Sequence, residues 1–272
     1  ARGHLDVMRF LWELPDVSRT LTKSLKAARG SNVLAIATQF LQMITASKDN
    51  ALLSRRELDL LTELVAAIQR VGCDAMTGVD HLFAKALLFL SRVRENVESM
   101  CGVPGLVSFL AYKLRHSNQE VARIATDALR NLAQEEANAR RMALIPGLVE
   151  DMAGLLEEHF GASVQMNALD ILGSLACEPS NRLLLFQTPR LVDALRKGVR
   201  WDDAGVLRRV VLLVRNLVQE PTVAFKVGRD HAIVEHLVIA LGNEDPATKA
   251  RAAEALDGIV LSLIHISQGI VR

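Results

Sequence analysis

Seven histidines, three cysteines and a few paired carboxylates are the side chains of this 272-residue sequence best suited to chemistry. The histidines are His4, His81, His116, His159, His231, His236 and His265. A zinc site would need ligands one helical turn apart, as in HExxH, or histidines joined by closely spaced cysteines. Neither pattern occurs. His231 and His236 are five residues apart and do not share a helix face cleanly, so all seven read as surface or cap histidines. Cys73, Cys101 and Cys177 are scattered, odd in number and without CxxC spacing, which reads as reduced thiols of an intracellular protein. GxSxG, GxGxxG and GxxxxGK[ST] are absent. Glu135-Glu136 and Glu157-Glu158 fall at expected helix ends, where carboxylates are most simply solvated. The expectation is a protein that is not an enzyme, with no catalytic residue, no cofactor and no metal.

The composition says what could position any working surface. Half of the residues are hydrophobic, yet aromatics make up 4% and there is one Tyr. So large an apolar share excludes a disordered chain. A β-sandwich or barrel would use more aromatic and β-branched residues, whereas Leu and Ala favour helices. Lys and Arg number 32 against 31 Asp and Glu, a net charge of +1, so no bulk attraction to nucleic acid or membrane is expected. No apolar run reaches the roughly 18–20 residues that span a bilayer. The chain opens ARGHLDV without an initiator Met or a signal peptide, as expected of a fragment or a processed chain.

An internal period organises the sequence. The strings ALRNLAQEEAN (Ala128–Asn138), DILGSLACEPSN (Asp170–Asn181) and LVRNLVQEP (Leu213–Pro221) align with Asn131, Ser174 and Asn216 in equivalent places, 43 and 42 residues apart. The same step reaches Phe89 before them and Gly258 after them. An earlier copy, FLQMITASKDN, fits if about four residues are inserted around the linker Ser47–Asn50 and the neighbouring LLSRRE. A second series keeps the step independently: Leu64-Val65, Leu106-Val107, Leu148-Val149, Leu191-Val192 and Ile233-Val234 recur at 42, 42, 43 and 42 residues. Two of these sit in the frames VPGLVSFL and IPGLVEDM.

Each repeat reads as three helices. Gly102 and the Pro before each Gly-Leu-Val end a short first helix and open the second. Leu106, Val107, Leu110 and Leu114 have helical spacing. A polar start at Asn118-Gln-Glu leads into Val121, Ile124, Ala125, Ala128, Leu129 and Leu132, a face too broad for a lone surface helix. Such a helix is buried on two sides, as when repeats stack.

With this period, a PGLV second helix and an ALRNLA third helix, the sequence resembles the armadillo repeat family. The resemblance covers nearly the whole chain as one solenoid over residues 1–266, in six units of about 3–46, 47–92, 93–134, 135–177, 178–219 and 220–266. It implies an all-α fold, a right-handed α-solenoid of three-helix repeats, with a HEAT-like stack as the alternative. It also implies a concave groove lined by third helices, where armadillo proteins bind extended peptides or partner segments. A groove Asn suits that task because its amide both donates and accepts. Carried across, that Asn is present at Asn131 and Asn216 and replaced by Met43, Phe89, Ser174 and Gly258. The Trp that nuclear import adaptors of the family carry four residues earlier is absent: those positions are Gln39, Lys85, Asp127, Asp170, Leu212 and Glu254. A receptor for nuclear-localisation signals is therefore disfavoured.

One turn earlier lie His81, Arg123, Met166, Arg208 and Ala250. The resemblance thus makes Lys85, Phe89, Arg123, Asp127, Asn131, Asp170, Ser174, Arg208, Leu212, Asn216 and Glu254 the expected partner-binding residues. Their mixed charges suit a ligand of alternating character, and Arg123 with Asp127 has the i, i+4 spacing of an ordinary helix pair. The Asn positions divide between ligand contact and hydrogen bonding between repeats. Trp201 is either a partner anchor or a cover over a repeat junction. Leu261–Ser267, LSLIHIS, matches the translation of a transposase adaptor used in sequencing libraries, which would put the end of natural sequence near Val260; otherwise it ends the last helix.

The function expected is a protein–protein interaction scaffold that binds an extended segment of a partner protein. The alternatives are a clamp on a folded partner, like armadillo-type exchange factors of heat-shock chaperones, and the substrate-recruiting part of a ubiquitin ligase. No nucleic acid, membrane insertion or small-molecule substrate is expected. The chain should be a monomer in the cytoplasm, with the nucleus as a second candidate compartment.

Overall fold

The computed structural model describes residues 14–28, 31–45, 52–72, 80–115, 118–157, 161–199 and 201–267, and among them there is no strand. His4, His116, His159, Cys73 and the linker Ser47–Asn50 lie outside the described residues. The chain divides after Glu135 into two compact units, at the border between the third and fourth repeats.

The first unit contains α1 (Pro15–Ala27), α2 (Ser31–Thr45), α3 (Arg55–Val71), α4 (Asp80–Ser91), α5 (Arg94–Cys101), α6 (Leu106–Lys113) and α7 (Gln119–Ala133). The second contains α8 (Glu136–Ala143), α9 (Leu148–Gly154), α10 (Ala162–Cys177), α11 (Pro179–Gln187), α12 (Pro189–Asp193), α13 (Ala204–Leu217), α14 (Pro221–Gly228), α15 (His231–Ala240) and α16 (Pro246–Ser267). A π-helical turn, Ala194–Gly198, extends α12. The third helices stack on one another within each unit: α2 on α4 and α4 on α7, then α10 on α13 and α13 on α16.

The repeated Pro-Gly frames form the same turn twice. Gly105 and Gly147 both have φ near +80°, and the amides of Leu106 and Leu148 each bond the carbonyl three residues back, at 3.2 Å. This is a type II turn, with Pro at its second position and Gly at the third, where φ must be positive. It stops the first helix of the repeat and aims the second. Third helices start on side-chain caps: Asn118 accepts from the Glu120 amide at 2.9 Å, and Asp203 from the amides of Gly205 and Val206 at 2.9 and 3.0 Å. The broad face of α7 is buried along its whole length, from Val121 to Leu132, because α4 and α6 cover it from two sides. Each fully buried Leu or Ile there contributes about 1.5–3 kcal/mol.

Four repeats have three helices, and the second corrects the expectation. Between residues 52 and 91 the described chain has two helices, because Arg55–Val71 is one 17-residue helix instead of a short pair. No Pro or Gly interrupts that stretch. Ser54 and Glu57 start it with a reciprocal capping box, and Gly72, at φ +101°, ends it. Within the first repeat the described residues likewise hold two helices, α1 and α2. At the other end, Leu261–Ser267 continue α16, and the Ser262 hydroxyl donates to the Pro221 carbonyl at 2.8 Å.

Candidate functional site

In the first unit the expected site residues lie on α4 and α7. Arg123 is exposed and bridges two carboxylates of its own helix, Glu120 at 2.8 Å and Asp127 at 2.9 Å. The hydrogen bond from Arg123 holds the Glu120 carboxyl below its ordinary range, and the Lys85 charge on α4 acts in the same direction. The helical pair is therefore present, with the Lys85 cation one repeat away. Lys85 is half-buried and Phe89 is 44% exposed, with the Arg92 guanidinium 5.4 Å above its ring. Asn131 is half-buried and donates to the Ser91 hydroxyl on α4 at 3.1 Å, and that hydroxyl donates to the Leu88 carbonyl.

In the second unit the sites lie on α10, α13 and α16. Asp170 accepts from Arg209 at 2.7 Å across the α10–α13 contact, and Glu254 accepts from Arg215 at 2.7 Å across the α13–α16 contact. Arg208 is exposed, and its charge is one of the influences lowering the Asp245 carboxyl, behind the hydrogen bonds from Thr248 and Ala247. Leu212 is half-buried. The Ser174 hydroxyl turns back onto the Asp170 carbonyl of its own helix. Asn216 is 4% exposed and its amide donates to the Gly173 carbonyl and Cys177 Sγ, both at 3.4 Å. The two asparagines thus differ: Asn131 lies within reach of solvent, while Asn216 is enclosed between neighbouring third helices.

Two sets of residues escaped the sequence reading. Arg209 and Arg215 carry the ion pairs between third helices, each one position from an expected site residue, Arg208 and Asn216. The other set is a buried asparagine in the first helix of three successive repeats: Asn96, Asn138 and Asn181, at most 2% exposed. Asn96 and Asn181 each donate to the carbonyl six residues back, on Leu90 and Leu175, at 3.1 Å. Asn181 also donates to the Ala139 carbonyl at 3.0 Å, one repeat earlier, and Asn96 accepts from the Leu53 amide at 2.8 Å. These amides join one repeat to the next. The signal was in the sequence, since the aligned strings ending at Asn138 and Asn181 are in step.

Trp201 covers a junction. Its ring stacks on His236 of the following repeat with centroids 4.5 Å apart, and its indole N–H donates to the Leu195 carbonyl. Among the described residues no group of His, Cys, Asp and Glu gathers as metal ligands, and no helix is long and apolar enough to cross a membrane.

No protein-family profile and no curated protein matches the sequence. Solved structures do. A computationally designed armadillo repeat protein for modular peptide recognition matches with a TM-score of 0.65 at 16% identity, over 88% of this chain and 98% of that one. An engineered protein solved by structural genomics matches at 0.64 and 23% identity, over 92% and 98%. A designed armadillo repeat protein in complex with the peptide (KR)4 matches at 0.61 and 17%, over 88% and 98%. Likeness at this level of identity defines the fold. The chain has the fold of armadillo-type α-solenoids.

Proposed function

We propose that this chain is a non-enzymatic scaffold whose third-helix faces bind an extended segment of a partner protein. The observation that supports this most is the regular array on those faces. Lys85, Arg123 and Asp127 in the first unit, and Asp170, Arg208, Leu212 and Glu254 in the second, keep partial or full exposure at intervals of one repeat. Packed helices lie roughly 8–10 Å apart, the length of two to three residues of extended chain at about 3.3 Å each. Each repeat can therefore address every second or third residue of a strand-like ligand. The designed relatives in fold include one made for peptide recognition and one holding a peptide of alternating Lys and Arg. Here cations and anions are mixed, which favours a ligand of alternating character over a polybasic one.

A peptide array of randomised extended sequences tests the proposal. The chain should retain a defined subset, and Lys85→Glu with Arg123→Glu should shift that subset toward basic sequences. Retention of nothing, or an unchanged subset, would rule the third-helix faces out as the binding surface.

A further inference from the structure

The end of α4, the start of α5 and the last turn of α7 surround a cleft of about 330 Å³. Ligand sites run from roughly 300 to 1,000 Å³, so this one has the size for a single bulky side chain. Its chemistry departs from the mixed charge around it. Arg123, Arg209 and Arg215 are each engaged with a carboxylate, whereas Arg92 and Arg94 line the cleft, are exposed, and form no ion pair among the described residues. The Phe89 ring lies under the Arg92 guanidinium. A guanidinium held over an aromatic ring keeps N–H donors for other partners. Phe89, where the family resemblance calls for Asn, thus supports an arginine.

Further donors converge on the same place. Asn131 and Gln134 bring side-chain amides, and α5 begins at Arg94 with no capping side chain on Val93. Glu135 is the one carboxylate among the described lining residues and leaves the two guanidiniums in excess. Two guanidinium forks and two amides exceed what the two oxygens of a carboxylate can accept. They suit the three oxygens of a phosphate monoester, which carries about −1.5 to −2 charges at neutral pH.

We infer that this cleft seats a phosphorylated side chain of the bound partner segment. The inference rests on the groove function proposed above and adds a chemical requirement to it. Arg92 and Arg94 clamp the phosphate, Phe89 positions Arg92, and Glu135 opposes occupancy.

The test uses the full chain on randomised extended peptides with a central serine, phosphoserine or glutamate, and inorganic phosphate as competitor. The phosphoserine set should be retained about tenfold more strongly than the serine set. Arg92→Ala and Arg94→Ala should each remove most of that preference while leaving the thermal midpoint unchanged, as befits exposed side chains. Arg92→Lys, which keeps the charge but loses the fork, should recover it only in part. Glu135→Gln should increase the preference, and millimolar inorganic phosphate should diminish it. Equal retention of the serine and phosphoserine sets would overturn the phosphate site while leaving the groove function standing. Equal retention of glutamate and phosphoserine would overturn it in favour of a carboxylate site. If no peptide is retained, the groove function and the cleft fall together.

Discussion

A handful of polar side chains hold neighbouring repeats in register. Asn181 is buried and gives its amide to two carbonyls of the preceding repeat, so Asn181→Ala leaves both carbonyls unpaired and should cost about 1–3 kcal/mol in urea unfolding. Asn131→Ala loses one half-buried bond to Ser91 and should cost under about 1 kcal/mol. Equal losses would mean that the first-helix asparagines do not tie the repeats together. Carboxylates set the acid limit. The Glu178 carboxyl is held below its ordinary range by the hydrogen bond from Arg140, followed by that from Ser180, and Glu120 and Asp245 are lowered too. A lowered folded-state value contributes stability that is present above the unfolded value and disappears as pH falls through the folded one. The thermal midpoint should therefore drop as pH falls below the carboxylate range, and Arg140→Ala should flatten that drop. A midpoint independent of pH there would exclude these bonds as its cause. At this scale the sequence was only partly legible. Spacing placed Arg123 beside Asp127, but choosing Arg209 over Arg208 as the partner of Asp170 required the relative rotation of two helices, which a one-dimensional period does not contain.

The helices themselves were easier to anticipate. The buried face of α7 from Val121 to Leu132 and its start at Asn118 followed from spacing alone, because burial on two sides leaves a broad apolar stripe. The paired turns at Gly105 and Gly147 were visible as VPGLV and IPGLV, and their positive φ explains why Gly is there. Gly147→Ala would place a side chain in a left-handed conformation with open space around it, and should cost about 1–2 kcal/mol. Gly105→Ala adds a clash with the Gln69 side chain and should cost more. Calorimetric midpoints of the two variants compare them directly, and equal midpoints would show that Gln69 moves aside freely. The second repeat departs from the expected pattern because the Leu64-Val65 landmark keeps its step while the break before it is missing. Without Pro or Gly, Arg55–Val71 completes its hydrogen bonds as one helix.

Over the whole molecule, repetition accounts for a chain that is half hydrophobic yet nearly lacks aromatics. Stacked helices require close-fitting Leu, Val and Ala in each repeat, and positions at the same period remain exposed. A net charge of +1 gives no long-range pull on a ligand, so the proposed recognition would rest on local arrays on the third helices. The direct measurement is site-specific photo-crosslinking to peptides selected on the chain. A benzophenone side chain at Leu212, on α13, should capture the selected peptide efficiently. The same group at Leu144, 70% exposed just after the first helix of its repeat, should not. Capture at Leu144 with none at Leu212 would place the binding surface elsewhere and refute recognition by the third helices.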